Sequence, residues 1–281
     1  MTSSASPLAN AVPLVLVGAG KMGGAMLAGW LQNGLDATGV TIIDPSPAPE
    51  MQALIAARGM HHATLAPEGL AARVLVIAVK PQSMNAVLPA LRPLVGADTL
   101  VVSVAAGTTI DTLSAGLETA TRGGTVVRVM PNTPAQVGRG MSVAVAKGGL
   151  TDTDKTLVTA LMSAVGAVAW IDDEADIDAV TGVSGSGPAY VFYMVEAMAA
   201  AARAAGLGEE LAMQLARQTV AGAGELLHRS DLDAATLRKN VTSPGGTTAE
   251  GLRVLMSDDA LEDLMTRAVA AATHRSRELA G

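Results

Sequence analysis

Three glycines with a fixed spacing lie near the start of the 281-residue chain. Gly18, Gly20 and Gly23, in VLVGAGKMGGAM, form the pattern G-x-G-x-x-G directly after an apolar run. In such a loop the first glycine permits a tight turn, the second admits a pyrophosphate, and the third lets a helix pack against a strand. The pattern predicts a dinucleotide-binding loop in which Lys21 and Met22 open the next helix. A chance turn in a glycine-rich chain is the alternative.

A carboxylate closes the second apolar run of the chain. Asp44 follows Gly23 by about 20 residues, where an acid accepts a hydrogen bond from the ribose 2′-hydroxyl of NAD and repels the 2′-phosphate of NADP. The loop PSPAPE that follows supplies Ser46 as a donor but contains no Lys or Arg. These residues favour NADH over NADPH. The alternative is that Asp44 caps only the turn behind it.

Two further turns carry polar groups at predicted strand ends. Ala78, Val79, Lys80 and Pro81 follow the third apolar run, at the edge of the sheet where cofactors lie in open α/β proteins. In VMPNTPA the prolines around Asn132 and Thr133 predict a rigid loop. Both turns are expected to border a cofactor, although Lys80 would also suit a solvated strand end.

Two loops rich in small residues precede helices. Ser184 and Gly185 lie in TGVSGSGPAY, and the second loop is SPGGTT, which consists of Ser243, Pro244, Gly245, Gly246, Thr247 and Thr248. Free N–H groups at the positive end of a helix dipole bind anions. Each loop therefore predicts an anion site, with two N-caps on flexible turns as the alternative.

The elements that must position these residues follow from the apolar runs. Nearly continuous runs begin at Val12, Val40, Arg73, Asp98 and Thr125, and Ala/Leu-rich segments separate them. Such runs predict a parallel, doubly wound sheet with helices on both faces. The uncharged first twenty residues lack a basic start, so we predict a buried first strand there and not a signal peptide. Only helical patterns follow, which predicts a dinucleotide-binding domain over residues 1–171 and an all-helical domain over residues 172–281.

Composition excludes several other classes. Lys and Arg number 19 against 26 Asp and Glu, and aromatic residues are 2%, so neither a basic patch nor a stacking surface for nucleic acid is expected. No apolar stretch free of Gly and Pro is long enough to span a membrane. The chain has no Cys, and the adjacent His61 and His62 lack a third ligand, so no metal site is predicted. Ala-rich helices with few charges indicate a subunit contact, and at least a dimer.

With these loops in this order, the sequence closely resembles the pyrroline-5-carboxylate reductase family. IAVKPQ, VMPNTPA, TGVSGSGPAY and NVTSPGGTTAEGL carry the resemblance, which extends from about residue 12 to residue 278. It implies a Rossmann domain, a helical dimerisation domain and often a decamer of five dimers. It also implies cytoplasmic reduction of 1-pyrroline-5-carboxylate to L-proline by NADPH or NADH, the last step of proline biosynthesis.

The resemblance also implies roles for individual residues. The Lys80 turn and the Asn132 turn would line the nicotinamide ribose, with the Asn132 amide as a hydrogen-bonding group. The substrate carboxylate would lie on residues 243–248, with the Thr248 hydroxyl near the ring nitrogen as the catalytic group. Asp44 departs from the family, because many members have a small polar residue there.

Two other functions stay open. A β-hydroxyacid dehydrogenase has a similar glycine loop and uses a Lys on its long helix, but this chain has no Lys between Lys155 and Lys239. A nucleotide-sensing binding protein without turnover would have the glycine loop and would not need SPGGTT.

Overall fold

A computed structural model describes residues 8–280 of the chain. Eight strands form one sheet in the order β3-β2-β1-β4-β5-β6-β7-β8. The strands are β1 (Leu14–Val17), β2 (Val40–Ile43), β3 (His61–Ala63), β4 (Val74–Ile77), β5 (Leu100–Ser103), β6 (Thr125–Met130), β7 (Gly140–Ala146) and β8 (Gly166–Trp170). Helices connecting them are α1 (Lys21–Gln32), α2 (Pro49–Arg58), α3 (Met84–Leu91), α4 (Ile110–Leu117), α5 (Thr119–Arg122) and α6 (Asp152–Ser163).

The sheet is buried on both faces. Alternate residues of the central strands belong to two separate apolar clusters, as Leu14 and Val15 show. Helices α1 and α6 cover one face, where the Trp30 indole N–H donates to the Leu161 carbonyl at 2.8 Å. Helices α3 and α4 cover the other face through side chains such as Leu88 and Leu113. The predicted doubly wound α/β fold is confirmed.

The sheet is not parallel throughout, which corrects the expectation. Strand β7 pairs antiparallel with β6, whereas the other neighbouring strands are parallel. Residues 131–139 connect β6 to β7 and contain only a 3₁₀ turn, Thr133–Val137. A parallel return needs a crossover of about a dozen residues or more, so this connection reverses the chain.

Three strands were absent from the sequence prediction. Strand β3 is a short edge strand, and its His61 and His62 are exposed, so it lacks the apolar run of the inner strands. Strands β7 and β8 contain Gly, Ala and Ser, which weaken the apolar signal. His61 and His62 thus lie on a strand that pairs with β2.

The chain divides into two compact units. The first extends to Gly185 and includes the C-terminal residues from Thr273 on, and the second is Ser186–Ala272. The predicted boundary at residue 171 lies before this division, because α7 (Ile177–Val180) and a π-helical turn, Thr181–Gly185, belong to the first unit. Residues 1–7 of the predicted first domain, and residue 281 of the second, lie outside the described part of the chain.

The second unit is helical, as predicted. It contains α8 (Gly187–Ala204), α9 (Glu209–Arg229), α10 (Ala234–Asn240), α11 (Thr247–Leu255) and the beginning of α12 (Leu261–Ala280). Helices α8 and α9 pack against each other, but their fully buried positions are alanines such as Ala199 and Ala212. Large apolar side chains, including Phe192 and Tyr193, remain exposed. Among residues 8–280, no helix is long and apolar enough to cross a membrane.

Candidate dinucleotide and substrate site

The glycine loop joins β1 to α1, and its three glycines have different surroundings. Gly18 has φ +88°, and a Cβ on it would lie 2.9 Å from the Ala78 carbonyl oxygen. A Cβ on Gly23 would overlap the carbonyl oxygen of Gly18. A Cβ on Gly20 would meet no atom within 4 Å. Packing therefore requires the first and third glycines, whereas the second keeps a space open in front of the N-terminus of α1, as a pyrophosphate needs.

Asp44 holds the glycine loop to the end of β2. Its Oδ2 accepts a hydrogen bond from the Ala19 N–H at 2.8 Å, and its Oδ1 accepts one from the Ser46 N–H at 2.9 Å. The carboxylate thus caps the turn behind it, as the alternative reading of the sequence held. A carboxylate offers about four acceptor positions, so capacity for a ribose hydroxyl remains. The structure makes the two readings compatible.

One groove gathers much of the predicted cofactor set. Its volume is about 490 Å³. Among its lining residues are Gly18, Gly20, Asp44, Ala78, Val79 and Lys80. Sequence reasoning missed its other walls, which are Thr64 and Leu65 after β3 and Ser83 and Val87 at the start of α3. Only Thr64 and Leu65 come just after a strand, and that strand, β3, was not predicted; no sequence pattern pointed to Ser83 or Val87.

The remaining cofactor residues lie close by in the chain. Lys21, Met22 and Gly23 form the first turn of α1. Pro81 begins a 3₁₀ turn, Pro81–Ser83, behind Lys80. Lys80 is exposed and makes no ion pair with any described residue, so its charge is available to a ligand.

The Asn132 side chain bonds to the protein itself. Its Oδ1 accepts from the Met141 N–H at 2.8 Å, and its Nδ2 lies 3.2 Å from both the carbonyl oxygen and the Oγ of Ser184. The amide nitrogen thus lies within hydrogen-bonding distance of two Ser184 oxygens. The expectation that this amide serves a nicotinamide ribose stays a prediction. Thr133 is exposed at the start of the adjoining 3₁₀ turn.

Ser184 and Gly185 lie in the π-helical turn that ends the first unit. A Cβ on Gly185 would lie 2.6 Å from the Met130 methyl, so this turn lies against the end of β6. Single π turns occur often at functional sites. The structure thus brings Ser184 and Gly185 together with Asn132, although sequence reasoning treated them as separate loops.

The loop of residues 243–248 belongs to the second unit. It ends at Gly246, the N-cap of α11, where no side chain forms a capping hydrogen bond. The first N–H groups of a helix have no partner within the helix, so they can bind an anion. Thr247 and Thr248 are exposed in its first turn, and the Thr248 hydroxyl makes no hydrogen bond with described residues.

A buried ion pair within the first unit was not predicted. Arg128, on β6, donates to Oε1 of Glu174 at 2.9 Å, and the two side chains are 5% and 10% exposed. Burial alone raises the pKa of the Glu174 carboxyl, but hydrogen bonds from the Ile110 N–H, Arg128 and Lys147 outweigh it and lower the pKa below 4.5. Nothing in the sequence pairs residues so far apart.

The fold and the glycine loop define a dinucleotide-binding α/β protein with an all-helical second unit. A family model described as pyrroline-5-carboxylate reductase dimerisation matches residues 174–279. A second, described as NADP oxidoreductase, coenzyme F420-dependent, matches residues 13–107.

Individual relatives match over nearly the whole chain. Pyrroline-5-carboxylate reductase of Pseudomonas aeruginosa is 39% identical over 269 residues, which cover 95% of this chain and 96% of that protein. A structure of the reductase from Coxiella burnetii has a TM-score of 0.88 at 34% identity and covers 97% of this chain and 100% of that one. The Plasmodium falciparum reductase with NADP bound has a TM-score of 0.77 at 28% identity, with the same coverage. The chain belongs to the pyrroline-5-carboxylate reductase family.

Proposed function

We propose that this protein reduces 1-pyrroline-5-carboxylate to L-proline with a reduced nicotinamide dinucleotide. The observation that carries the proposal is the presence in one chain of both required binding loops. One is a glycine loop that is open only at Gly20, and the other is the uncapped helix start at residues 243–248. Family membership over nearly the full length supports the same reaction. The product then belongs to proline biosynthesis.

The first unit binds the cofactor. Gly20 leaves room for the pyrophosphate, the N-terminus of α1 supplies N–H donors, and Lys80 supplies a positive charge on the groove wall. When bound, the nicotinamide supplies the hydride. The chain itself has to align the two rings and exclude water, since a protonated imine is already electrophilic.

The second unit binds the substrate carboxylate. The N–H groups at the start of α11 are suited to this anion, and such an interaction is worth about 0.3–1 kcal/mol, or more where it is partly buried. The Thr248 hydroxyl is the hydrogen-bond partner of the ring nitrogen. As hydride reaches C5, the C=N π electrons move to nitrogen, which keeps the proton that it shares with this hydroxyl. Ser184 and Gly185, in the other loop rich in small residues, are further candidates for substrate binding.

We further propose that NADH is the preferred cofactor. Asp44 is held rigidly by the Ala19 and Ser46 N–H groups at the mouth of the groove, where a 2′-phosphate would meet its negative charge. The Plasmodium relative was crystallised with NADP, so NADPH is the cofactor against which this preference has to be measured.

The assembly is at least a homodimer formed through the second unit. Phe192 and Tyr193 are 63% and 71% exposed on α8, and the unit buries mainly alanines by itself. A second copy would cover these side chains, which agrees with the family model for dimerisation. Five such dimers would form the decamer that the family often has. We place the protein in the cytoplasm, with the other enzymes of amino-acid biosynthesis.

Steady-state kinetics with 1-pyrroline-5-carboxylate test the function. We expect the purified protein to consume reduced cofactor only when this substrate is present, and Thr248→Ala to lower kcat at least several-fold with little change in cofactor affinity. Thr248→Ser should recover most of the rate, because it keeps the hydroxyl. Thr266→Ala is the matched control, since the Thr266 hydroxyl bonds to Glu262 of its own helix.

The same assay separates the alternatives. Oxidation of a β-hydroxyacid with no reduction of the imine would indicate a β-hydroxyacid dehydrogenase. Cofactor binding without turnover of either substrate would indicate a nucleotide-sensing protein. Unchanged kcat in Thr248→Ala would remove Thr248 from the catalytic role.

A further inference from the structure

The amide of Asn132 is committed to protein groups on two sides. An amide side chain has two N–H donors and one oxygen acceptor. The Nδ2 of Asn132 lies 3.2 Å from both the carbonyl oxygen and the hydroxyl oxygen of Ser184, and its Oδ1 accepts from the Met141 N–H at the start of β7 at 2.8 Å. This one side chain therefore joins the end of β6, the start of β7 and the π-helical turn.

A second contact holds the same segment to the same strand. Arg128 lies two residues before the end of β6, and Glu174 lies ten residues before Ser184. Their ion pair is buried, and Glu174 also accepts a hydrogen bond from the Ile110 N–H at 2.8 Å. Residues 174–184 are thus fixed near both ends, by Arg128 at one end and by Asn132 at the other.

The turn between these contacts has mostly small side chains, and just before it the Asp178 carboxylate accepts from the Ser276 hydroxyl at 2.6 Å. Thr181 bonds its own segment, through its hydroxyl to the Ile177 carbonyl at 2.8 Å. Gly182 and Gly185 have no side chains, and Val183 is 59% exposed. A π turn made of such residues needs outside contacts to keep one conformation.

We infer that Asn132 is a positioning residue that acts through Ser184 and does not bind the cofactor through its amide. It holds the Ser184 and Gly185 turn in the conformation that meets the substrate. The Glu174–Arg128 pair supports the same segment from its other end. The inference rests on the proposed function only where the substrate is concerned, because the cofactor and dynamics measurements need no turnover.

Three measurements on Asn132→Ala test the inference. We expect the Kd for NADH, measured by fluorescence titration, to stay within about twofold of the wild type. Loss of two or more hydrogen bonds should lower kcat/KM for the imine at least tenfold, since one net bond is worth a factor of roughly five. Hydrogen exchange should accelerate in peptides covering residues 180–186 and stay unchanged at residues 18–23.

Matched variants separate a positioning role from a general loss of stability. Asn33→Ala removes an amide that bonds the Gly29 carbonyl of its own helix, and it should leave all three measurements unchanged. Asn132→Asp keeps an acceptor for Met141 but loses the amide donors, so it should reproduce the kinetic loss even if Asn132→Ala does not fold. Glu174→Gln should accelerate exchange in the same peptides, whereas Asp172→Asn, which removes an exposed neighbouring carboxylate, should not.

Two outcomes would overturn the inference. A Kd for NADH at least fivefold weaker, with exchange unchanged at residues 180–186, would mean that the amide contacts the cofactor. A lower unfolding temperature with normal kcat/KM would mean that Asn132 has only a structural role. If the wild type does not reduce the imine at all, the proposed function fails, while the NADH and exchange measurements still decide whether Asn132 positions the turn.

Discussion

Asp44→Ser separates the two roles of this carboxylate. The wild-type side chain accepts two main-chain hydrogen bonds, from Ala19 at 2.8 Å and Ser46 at 2.9 Å. A serine hydroxyl is shorter and can replace the bond to Ser46, as in similar turns, but it does not reach Ala19 as well. The substitution therefore loosens the glycine loop and also removes a negative charge from the groove.

The two effects differ in how they depend on the cofactor. A hydrogen bond to a charged group is worth about 1.5–3 kcal/mol. Loss of the bond from the Ala19 N–H therefore weakens the binding of NADH and of NADPH by the same amount. Two unit charges about 5 Å apart repel by roughly 1–3 kcal/mol for effective dielectric constants between about 80 and 20. Only NADPH gains from removal of this repulsion. The ratio of the two cofactor affinities removes the effect that both cofactors share and reports the loss of this repulsion together with the loss of the ribose hydrogen bond of NADH, so we expect it to shift toward NADPH about tenfold or more.

The assay is a pair of fluorescence titrations, with NADH and with NADPH, on the wild type and the variant. Asp36→Ser is the control, since Asp36 caps its own turn through the Thr38 N–H and lies outside the groove lining. The control should leave the ratio unchanged. An equal loss of affinity for both cofactors in Asp44→Ser would refute the charge argument and leave Asp44 with its loop-holding role alone.

Three further predictions concern the loop, the buried ion pair and the dimer. Gly20→Ala should weaken NADH binding at least tenfold and leave the unfolding temperature unchanged. Gly23→Ala should lower both the affinity for NADH and the unfolding temperature, because only its Cβ would overlap the Gly18 carbonyl. Equal unfolding temperatures of the two variants would contradict this reasoning. Since the pKa of Glu174 is lowered in the folded state, the stability it contributes is present above pH 4.5 and is lost as pH falls below that value. In urea unfolding, the free energy of unfolding of Glu174→Gln should depend less on pH in the acid range than that of the wild type. At neutral pH the variant should be about 3 kcal/mol less stable, because Arg128 stays buried without its partner. Parallel pH profiles of the two proteins would refute the prediction. Phe192→Glu should shift the sedimentation coefficient from that of a dimer toward that of a monomer. Phe192 is 63% exposed in one copy, so the substitution would place a charge in the proposed subunit contact. An unchanged dimer would exclude the face of α8 that carries Phe192.

The sequence predicted the strands whose two faces are both buried. Runs such as LVLV and VLVI are apolar at every position because helices cover both sides of β1 and β4. Strand β3 was not predicted, because an edge strand can be short and polar and its HHA segment has no apolar run. The antiparallel turn at β7 depends on the length of a connection, and this length is visible only once both strand ends are known.

The same distinction applies to the site. The glycine spacing predicted the cofactor loop because the local backbone geometry leaves no room for a side chain at Gly18 and Gly23. The partners of Asp44 and Asn132 were not predictable, because hydrogen bonds to Ala19 and Met141 depend on which strands become neighbours. Residue type and position identified the polar side chains correctly, but not whether their polar atoms face a ligand or the protein.

Asp44 and Asn132 have the same structural role, which is to hold the main chain near the ligand-binding loops. Each lies just beyond the end of a strand, and each accepts hydrogen bonds from the main chain: Asp44 from Ala19 and Ser46, and Asn132 from Met141 in β7. In the first unit, the groups that remain open to ligands are main-chain N–H groups at the start of α1, together with Lys80. In the second unit they are the N–H groups at the start of α11 and the Thr248 hydroxyl. Neither set contains a strong base, and hydride transfer to a protonated imine requires none. Asp44 and Asn132 therefore contribute by fixing the main chain around them, and substitutions at these two residues should alter specificity and geometry more than the acid–base step.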